Sequence, residues 1–286
     1  MSEKIIMLQG GLGNQLFQQA WAKYIQAVLG GSVFCNSDSL LEKKMHSGIR
    51  LSDLIEFNHD EEVESCIFFK SGFFSKVLRF AARKLSVNKI NKYLLYDYDA
   101  NFSFENAFAA ASVKYHLGYF QYVESALSVR DDFRLEIKNR HQELILKGLE
   151  MYSGAVGVHV RRGDFLASKD PRHQVMDENY YLKAIQSFSD RDFMIFTDDK
   201  EWCEKVFKGH SFKICGLLDR NVKPAIADFL SLMCCKDYIV GTSTFAWWAA
   251  FLSFNERPLV YMPQVNLPFQ SARSNELIGW DYILHE

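Results

Sequence analysis

Four times along this chain a short aliphatic run breaks abruptly into glycine or charge, and that pattern restricts the fold more than any other feature. Residues Lys4-Ile5-Ile6-Met7-Leu8 read as a buried strand ending at Gly10-Gly11-Leu12-Gly13, after which Leu16, Ala20, Tyr24 and Ala27 recur at helical spacing. Strand, glycine turn and helix open an α/β domain. A second opening lies at 155–160 (AVGVHV), running into Arg161-Arg162-Gly163-Asp164. Two more units follow, 193–196 (FMIF) into Thr197-Asp198-Asp199 and 238–240 (YIV) into Gly241-Thr242-Ser243-Thr244. Parallel α/β sheets gather ligands outside the carboxyl ends of their strands, so one site could hold all three polar clusters of the second half. The expected fold class is α/β, with two Rossmann-like halves facing a cleft. The polar, helix-like stretch 137–153 separates the two openings and sets the expected boundary, with residues 1–145 as one domain and 146–286 as the other.

Composition closes off other classes. A net charge of -2 over 286 residues gives no global basic surface for nucleic acid. The first residues lack a basic region followed by a long apolar run, and no window is long and apolar enough to suggest a membrane span. The six cysteines, Cys35, Cys66, Cys203, Cys215, Cys234 and Cys235, show no C-x-x-C spacing and read as buried thiols of a cytoplasmic protein. One basic stretch, 70–92, has apolar residues at helical spacing. It reads either as a helix packed on its own domain or as a peripheral contact with an anionic membrane carrying lipid-linked acceptors.

The polar clusters suggest anion chemistry. Arg161 and Arg162 stand at a strand end, and guanidinium forks match phosphate oxygens and stay charged. The alternative is an Arg–Asp structural ion pair. Thr242, Ser243 and Thr244 bring hydroxyls and backbone N–H groups to the start of the helix FAWWAAFL, as an anion site or an ordinary N-cap. Trp247 and Trp248 read as core. Asp228, at the start of a helical run, either accepts the N1–H and N2–H₂ donors of guanine or compensates the helix dipole. The run Gly10 to Gly13 fails the dinucleotide fingerprint, which would need glycine at Leu16, and lacks a P-loop ending. Gly11 and Gly13 then allow close backbone approach to a ligand, with Asn14 and Gln15 supplying polar side chains.

Together, 10–18 (GGLGNQLFQ), 118–121 (GYFQ), 157–165 (GVHVRRGDF), 196–203 (FTDDKEWC) and 241–252 (GTSTFAWWAAFL) resemble the α-1,2-fucosyltransferases, glycosyltransferase family 11. Residues 46–51 (HSGIRL) resemble a further family segment. The resemblance implies a GT-B fold and an inverting, metal-independent transfer of L-fucose from GDP-fucose to a galactose-type hydroxyl, in α-1,2 linkage, for glycan or O-antigen synthesis. It implies no cofactor beyond the GDP-sugar donor, and an oligosaccharide or lipid-linked glycan as acceptor. By similarity to the wider group sharing HxRRxD, His159 and Asp228 would contact guanine, and Arg161 and Arg162 the pyrophosphate, with Ser243 and Thr244 at its other side. Asp198 or Asp199 would lie near the nucleoside, and Asn14 near the transferred sugar. The chain departs from many bacterial members at 241–250 and at Arg172-His173-Gln174-Val175. Relatives use GDP-colitose, which keeps that donor open as an alternative.

Inverting transfer needs a base for the acceptor hydroxyl, and Asp164, Asp170 and His173 are the candidates on or after the arginine turn. Two rival readings remain: a metal-dependent transferase using Asp97-Tyr98-Asp99 as a D-x-D motif, and a non-catalytic carbohydrate- or nucleotide-binding module.

Overall fold

A computed structural model describes residues 3–37, 40, 51–57, 75, 77, 94–97, 103–170, 173–188, 190–215, 222–265 and 267–285. The chain forms two compact units, Met1–Val129 and Arg130–Glu286. The readings of 46–50, of Asp99 and of nearly all of 70–92 lie outside the described residues.

In the first unit, β1 (Lys4–Met7), β2 (Val33–Asn36), β3 (Leu94–Asp97) and β4 (Tyr115–Gly118) form a parallel sheet in the order β2-β1-β4-β3. Strand β1 is buried throughout, as a parallel strand covered on both faces should be. Helix α1 (Leu12–Leu29) follows it directly and buries Leu16, Phe17, Ala20, Trp21 and Ile25. Trp21 anchors this core. Its ring stacks on Phe120 with centroids 5.3 Å apart, and its Nε1–H donates to Nδ1 of His116 at 3.0 Å. His116 must then be the Nε2–H tautomer, donating to the Val113 carbonyl, and burial lowers its pKa to about 4. Two short helices complete the described part, α2 (Phe104–Ala109) and α3 (Val123–Leu127).

The second unit begins with α4 (Arg130–Arg140) and α5 (Gln142–Tyr152), so it starts earlier than the 145/146 boundary read from the sequence. The polar surface of these helices suggested a linker. Phe133, Ile137, Leu144 and Ile145 nevertheless give them a buried stripe at helical spacing, which binds them to this unit. Six parallel strands follow: β5 (Val156–Val160), β6 (Phe193–Thr197), β7 (Phe212–Ile214), β8 (Asp237–Ile239), β9 (Leu259–Pro263) and β10 (Asp281–His285). Their order is β10-β9-β8-β5-β6-β7. The chain runs outward from β5 through β6 to β7, then returns to the other side of β5 with β8. The gap between the ends of β5 and β8 is therefore the topological switch point, where α/β sheets bind ligands.

Around this sheet lie α6 (Gly163–Leu166), α7 (Glu178–Gln186), α8 (Lys200–Val206), α9 (Pro224–Met233), α10 (Thr244–Phe251) and α11 (Ala272–Ile278). Helix α9 approaches β5 so closely that a Cβ on Gly157 would meet Leu232 Cδ1 at 2.6 Å and Cys235 Sγ at 3.0 Å. Trp247 and Trp248 of α10 are fully buried, as core residues. Among the described residues, no helix is long and apolar enough to cross a membrane.

Candidate functional site

Two adjacent tyrosines of α7 bond to strand-end carbonyls near the switch point of the second unit. Pairing between β5 and β8 stops at Val158 and Ile239. Beyond it, the Tyr181 hydroxyl donates to the His159 carbonyl at 3.2 Å and the Tyr180 hydroxyl donates to the Val240 carbonyl. The two buried phenols thus satisfy backbone carbonyls at the ends of β5 and β8.

At the end of β5 the two arginines are oriented by three carboxylates. Arg161 places Nη2 2.8 Å from Asp164 Oδ1 and Nη1 2.8 Å from Asp198 Oδ2. The other Asp198 oxygen accepts the Arg162 backbone N–H at 2.9 Å. Arg162 donates Nε–H to Asp199 Oδ2 at 3.0 Å and lies over the Trp202 ring, 4.2 Å from its centroid. Asp199 also caps α8 by accepting the Trp202 N–H, so one residue fixes both helix and guanidinium. Gly163 is required here: a Cβ would meet Asp198 Oδ2 at 2.8 Å.

Beside this fork lies His159, buried, with Nδ1 lacking a hydrogen-bond partner among the described residues. Burial, reinforced by Arg161, lowers its pKa to about 4, so the ring is neutral at pH 7. It packs on Phe245, which contacts Phe229 of α9. The neighbour of Phe229 in the chain, Asp228, is a half-buried carboxylate with no hydrogen bond or ion pair to the described residues. Burial raises its pKa to about 6, opposed by Lys200. A buried imidazole nitrogen without a partner is costly unless something else satisfies it, and a half-buried carboxylate shares part of that cost.

Across the switch point, Thr242 donates its hydroxyl to the Gln174 carbonyl at 3.0 Å, and Gln270 donates to the Gly241 carbonyl at 2.9 Å. Ser243 is the N-cap residue of α10 but makes no side-chain cap bond, and Thr244 begins the helix. The loop pinned by Thr242 carries His173. That ring stacks on Phe165, with centroids 4.4 Å apart, and its Nδ1 lies 2.7 Å from Ser168 Oγ. Asp170 sits in the same loop, where its N–H donates to Ser168 Oγ and its carbonyl accepts the His173 N–H.

In the first unit, the glycine run and the GYFQ segment meet at the switch point between β1 and β4. Asn14 Oδ1 accepts from Gln121 Nε2 at 2.9 Å, while Gln9 and Gln18 both donate to the Gly118 carbonyl. Asp97 is buried and accepts the Phe120 N–H at 2.8 Å, supporting a non-glycine residue at φ 49°.

Several expectations change. Gln15 is fully buried, its amide donating to the Gly10 carbonyl and accepting from the Leu51 N–H, so it is a brace and not a ligand contact. Gly11 and Gly13 belong to the N-cap and first turn of α1, and the glycine required by conformation is Gly10, at φ 75°. Asp228 lies in the second turn of α9, which begins at Pro224, too far in to compensate the dipole. Asp198 and Asp199 use both oxygens on the arginine turn and α8, which makes them organisers of the fork. The Thr242 hydroxyl is bonded within the fold. Trp202, Phe165 and the tyrosine pair drew no sequence reading, although Trp202 stands three residues after a capping aspartate, where a side chain over the turn is expected.

The sequence profile of glycosyl transferase family 11 matches residues 4–284. The chain belongs to glycosyl transferase family 11. This family 11 glycosyltransferase is 27% identical over 273 residues to an Escherichia coli α-1,2-colitosyltransferase, covering 88% of each chain. It is 26% identical to the Escherichia coli O-antigen biosynthesis glycosyltransferase WbnK, covering 90% of this chain and 92% of that one. The solved structure of an Arabidopsis thaliana FUT1 mutant in complex with GDP matches with a TM-score of 0.50 and 13% identity, over 93% of this chain and 72% of that one. That likeness concerns fold alone, and the class is GT-B-like: two α/β units with parallel sheets.

Proposed function

We propose that this glycosyltransferase moves L-fucose from GDP-fucose to a galactose-type hydroxyl of an oligosaccharide or lipid-linked glycan, forming an α-1,2 linkage with inversion. The observation that carries the reading is the pair of guanidinium forks fixed beside a buried neutral imidazole whose Nδ1 lacks a partner among the described residues, with the half-buried Asp228 of α9 next to the Phe229 that links to it through Phe245. The forks suit a diphosphate, and Asp228 with His159 suits a base presenting adjacent N–H donors, as guanine does. The acceptor oxygen forms a bond to the sugar's anomeric carbon as the bond from that carbon to the diphosphate oxygen breaks. The electron pair leaves with GDP, and Arg161 and Arg162 stabilise the charge it builds. We assign them the part a metal plays in other transferases. The diphosphate takes the Arg161 position now held by Asp164, the more exposed of its two carboxylate partners. The proton of the acceptor hydroxyl goes to one of the candidates on or after the arginine turn, Asp164, Asp170 or His173.

The identity of a full-length relative as a colitosyltransferase favours a second reading, GDP-colitose as donor. Colitose lacks one ring hydroxyl of fucose, so the two donors share every contact proposed above. GDP release should be measured from each donor with a panel of β-galactosides, with and without EDTA. Acceptor-dependent release from GDP-fucose that survives EDTA is expected. Release from GDP-colitose alone moves the assignment to that donor, and loss in EDTA refutes the arginine-based mechanism. Binding of GDP without release from either donor refutes transfer.

A further inference from the structure

Of the side chains around the arginine turn, His173 is unusual in being tied to both sides of the switch point. Its ring lies parallel to Phe165 within 12°, and Phe165 in turn faces Arg161, whose guanidinium carbon is 5.8 Å from the ring centroid. The residue after it, Gln174, is bonded through its carbonyl to Thr242. An exposed imidazole is normally free to rotate about both side-chain torsions. This one is held by a ring stack on one face and by the 2.7 Å contact between Nδ1 and Ser168 Oγ at its edge. Ser168 is itself anchored, accepting the Asp170 N–H at 3.1 Å. Nε2 has no partner among the described residues.

An imidazole can remove a proton through Nε2 only when Nδ1 carries the ring hydrogen, and a group accepting from Nδ1–H sets that tautomer. We infer that Ser168 is a positioning residue for His173, its Oγ accepting from Nδ1–H so that Nε2 is the base for the acceptor hydroxyl. The inference rests on the transfer reaction proposed above. In the step, Nε2 takes the hydroxyl proton as the acceptor oxygen bonds to the anomeric carbon. The resulting imidazolium keeps Nδ1–H on Ser168, and GDP leaves with the electron pair. Asp170 contributes through its backbone, by holding Ser168.

The test combines a readout that needs no turnover with one that does. Nitrogen-15 spectra of histidine-labelled protein, with His173 assigned by its loss in His173→Gln, should show the Nδ1–H tautomer in the wild type. Ser168→Ala should shift it toward Nε2–H, the form that dominates in free imidazoles, and Ser168→Thr should restore it. With the GDP-sugar and acceptor, Ser168→Ala should lower kcat about 10-fold, less than the roughly 10²–10⁴-fold worth of a general base because the imidazole itself remains, and leave KM for the donor unchanged. Ser168→Thr should recover kcat. An Nε2–H tautomer in the wild type overturns the inference, as does Ser168→Ala with unchanged tautomer and unchanged kcat. A wild type that releases no GDP while showing the Nδ1–H tautomer removes the base role along with the transfer reading. The spectra would still establish the Ser168–His173 contact, so the two failures are distinguishable.

Discussion

Replacing Asp228 by asparagine should make the protein more stable and a worse binder of GDP, and the two effects have one cause. In the folded state burial lifts the Asp228 pKa from 3.8 to about 6. Between those values the folded protein holds a proton that the unfolded chain has released. The stability linked to this carboxyl is thus fully present below pH 4, falls as pH rises through 6, and is lost above about 7. A shift of this size corresponds to about 3 kcal/mol. Because the carboxylate is still partly hydrated, about 1–2 kcal/mol is the realistic figure. Asparagine has nearly the same shape and does not titrate. The histidines titrate identically in both proteins, so their contribution cancels in the difference.

Thermal unfolding of wild type and Asp228→Asn should be followed from pH 4 to 8. The two should melt together near pH 4, and the variant about 2–6 °C higher at pH 7.5. GDP affinity, measured by calorimetry at pH 7.5, should fall about 10- to 100-fold, the worth of a charge-assisted hydrogen bond or two. A variant that is less stable at pH 7.5, or whose stability difference ignores pH, would show that Asp228 has a partner within the fold. Unchanged GDP affinity would remove it from the nucleotide site whatever the stability result.

Other perturbations probe the rest of the arrangement. Arg161→Ala should lose about 10²-fold or more in turnover by the GDP-release assay, the scale of removing one transition-state charge stabiliser, and near-normal turnover would discard its role. Asp164→Asn should tighten GDP binding several-fold in calorimetry, since it removes the carboxylate that competes with the diphosphate for Arg161. His116 and His159, each near pKa 4 when folded, stay neutral while the unfolded chain takes up protons from pH 6.5 downward. Stability should therefore fall between pH 6.5 and 4, by up to about 3 kcal/mol for each, and His116→Gln should flatten that part of a denaturation profile. Gly157→Ala should cost about 1–3 kcal/mol in urea unfolding by forcing α9 away from β5.

What could be read in advance was whatever depends on period and punctuation. The buried strands at 4–8, 155–160, 193–196 and 238–240 announce themselves, because a parallel strand covered on both faces has to be apolar throughout and must end in a polar turn. The helices Arg130–Arg140 and Gln142–Tyr152 were harder to place. Their buried stripe is narrow and their remaining surface charged, so composition hides their membership of the second unit. At the site, residue types marked Arg161, Arg162, Asp198 and Asp199 as a group, but the division of labour among them is geometric. Only coordinates reveal that Asp198 bridges both arginines while Asp199 caps a helix. The same holds for Gln15, whose polar side chain in a glycine-rich turn looks like a ligand contact until its bonds to Gly10 and Leu51 are seen. Tyr180 and Tyr181 gave no signal at all, because a tyrosine that satisfies a strand-end carbonyl is indistinguishable in sequence from one that fills a core.

The charge balance of the arginine turn sets how it must work. Three carboxylates face two guanidiniums, so the cluster carries excess negative charge before a ligand arrives, which ought to repel a diphosphate. The carboxylates are not equivalent, however. Asp198 and Asp199 are each bonded twice, to backbone N–H groups as well as to arginine, and cannot leave without undoing the turn. Asp164 meets only Arg161 and is about half exposed, so water replaces its partner at little cost. On the proposed reading, a diphosphate that displaces this one carboxylate would leave the bonds of Asp198 and Asp199 to the arginines in place, and any anion would have to outcompete a carboxylate to stay on Arg161.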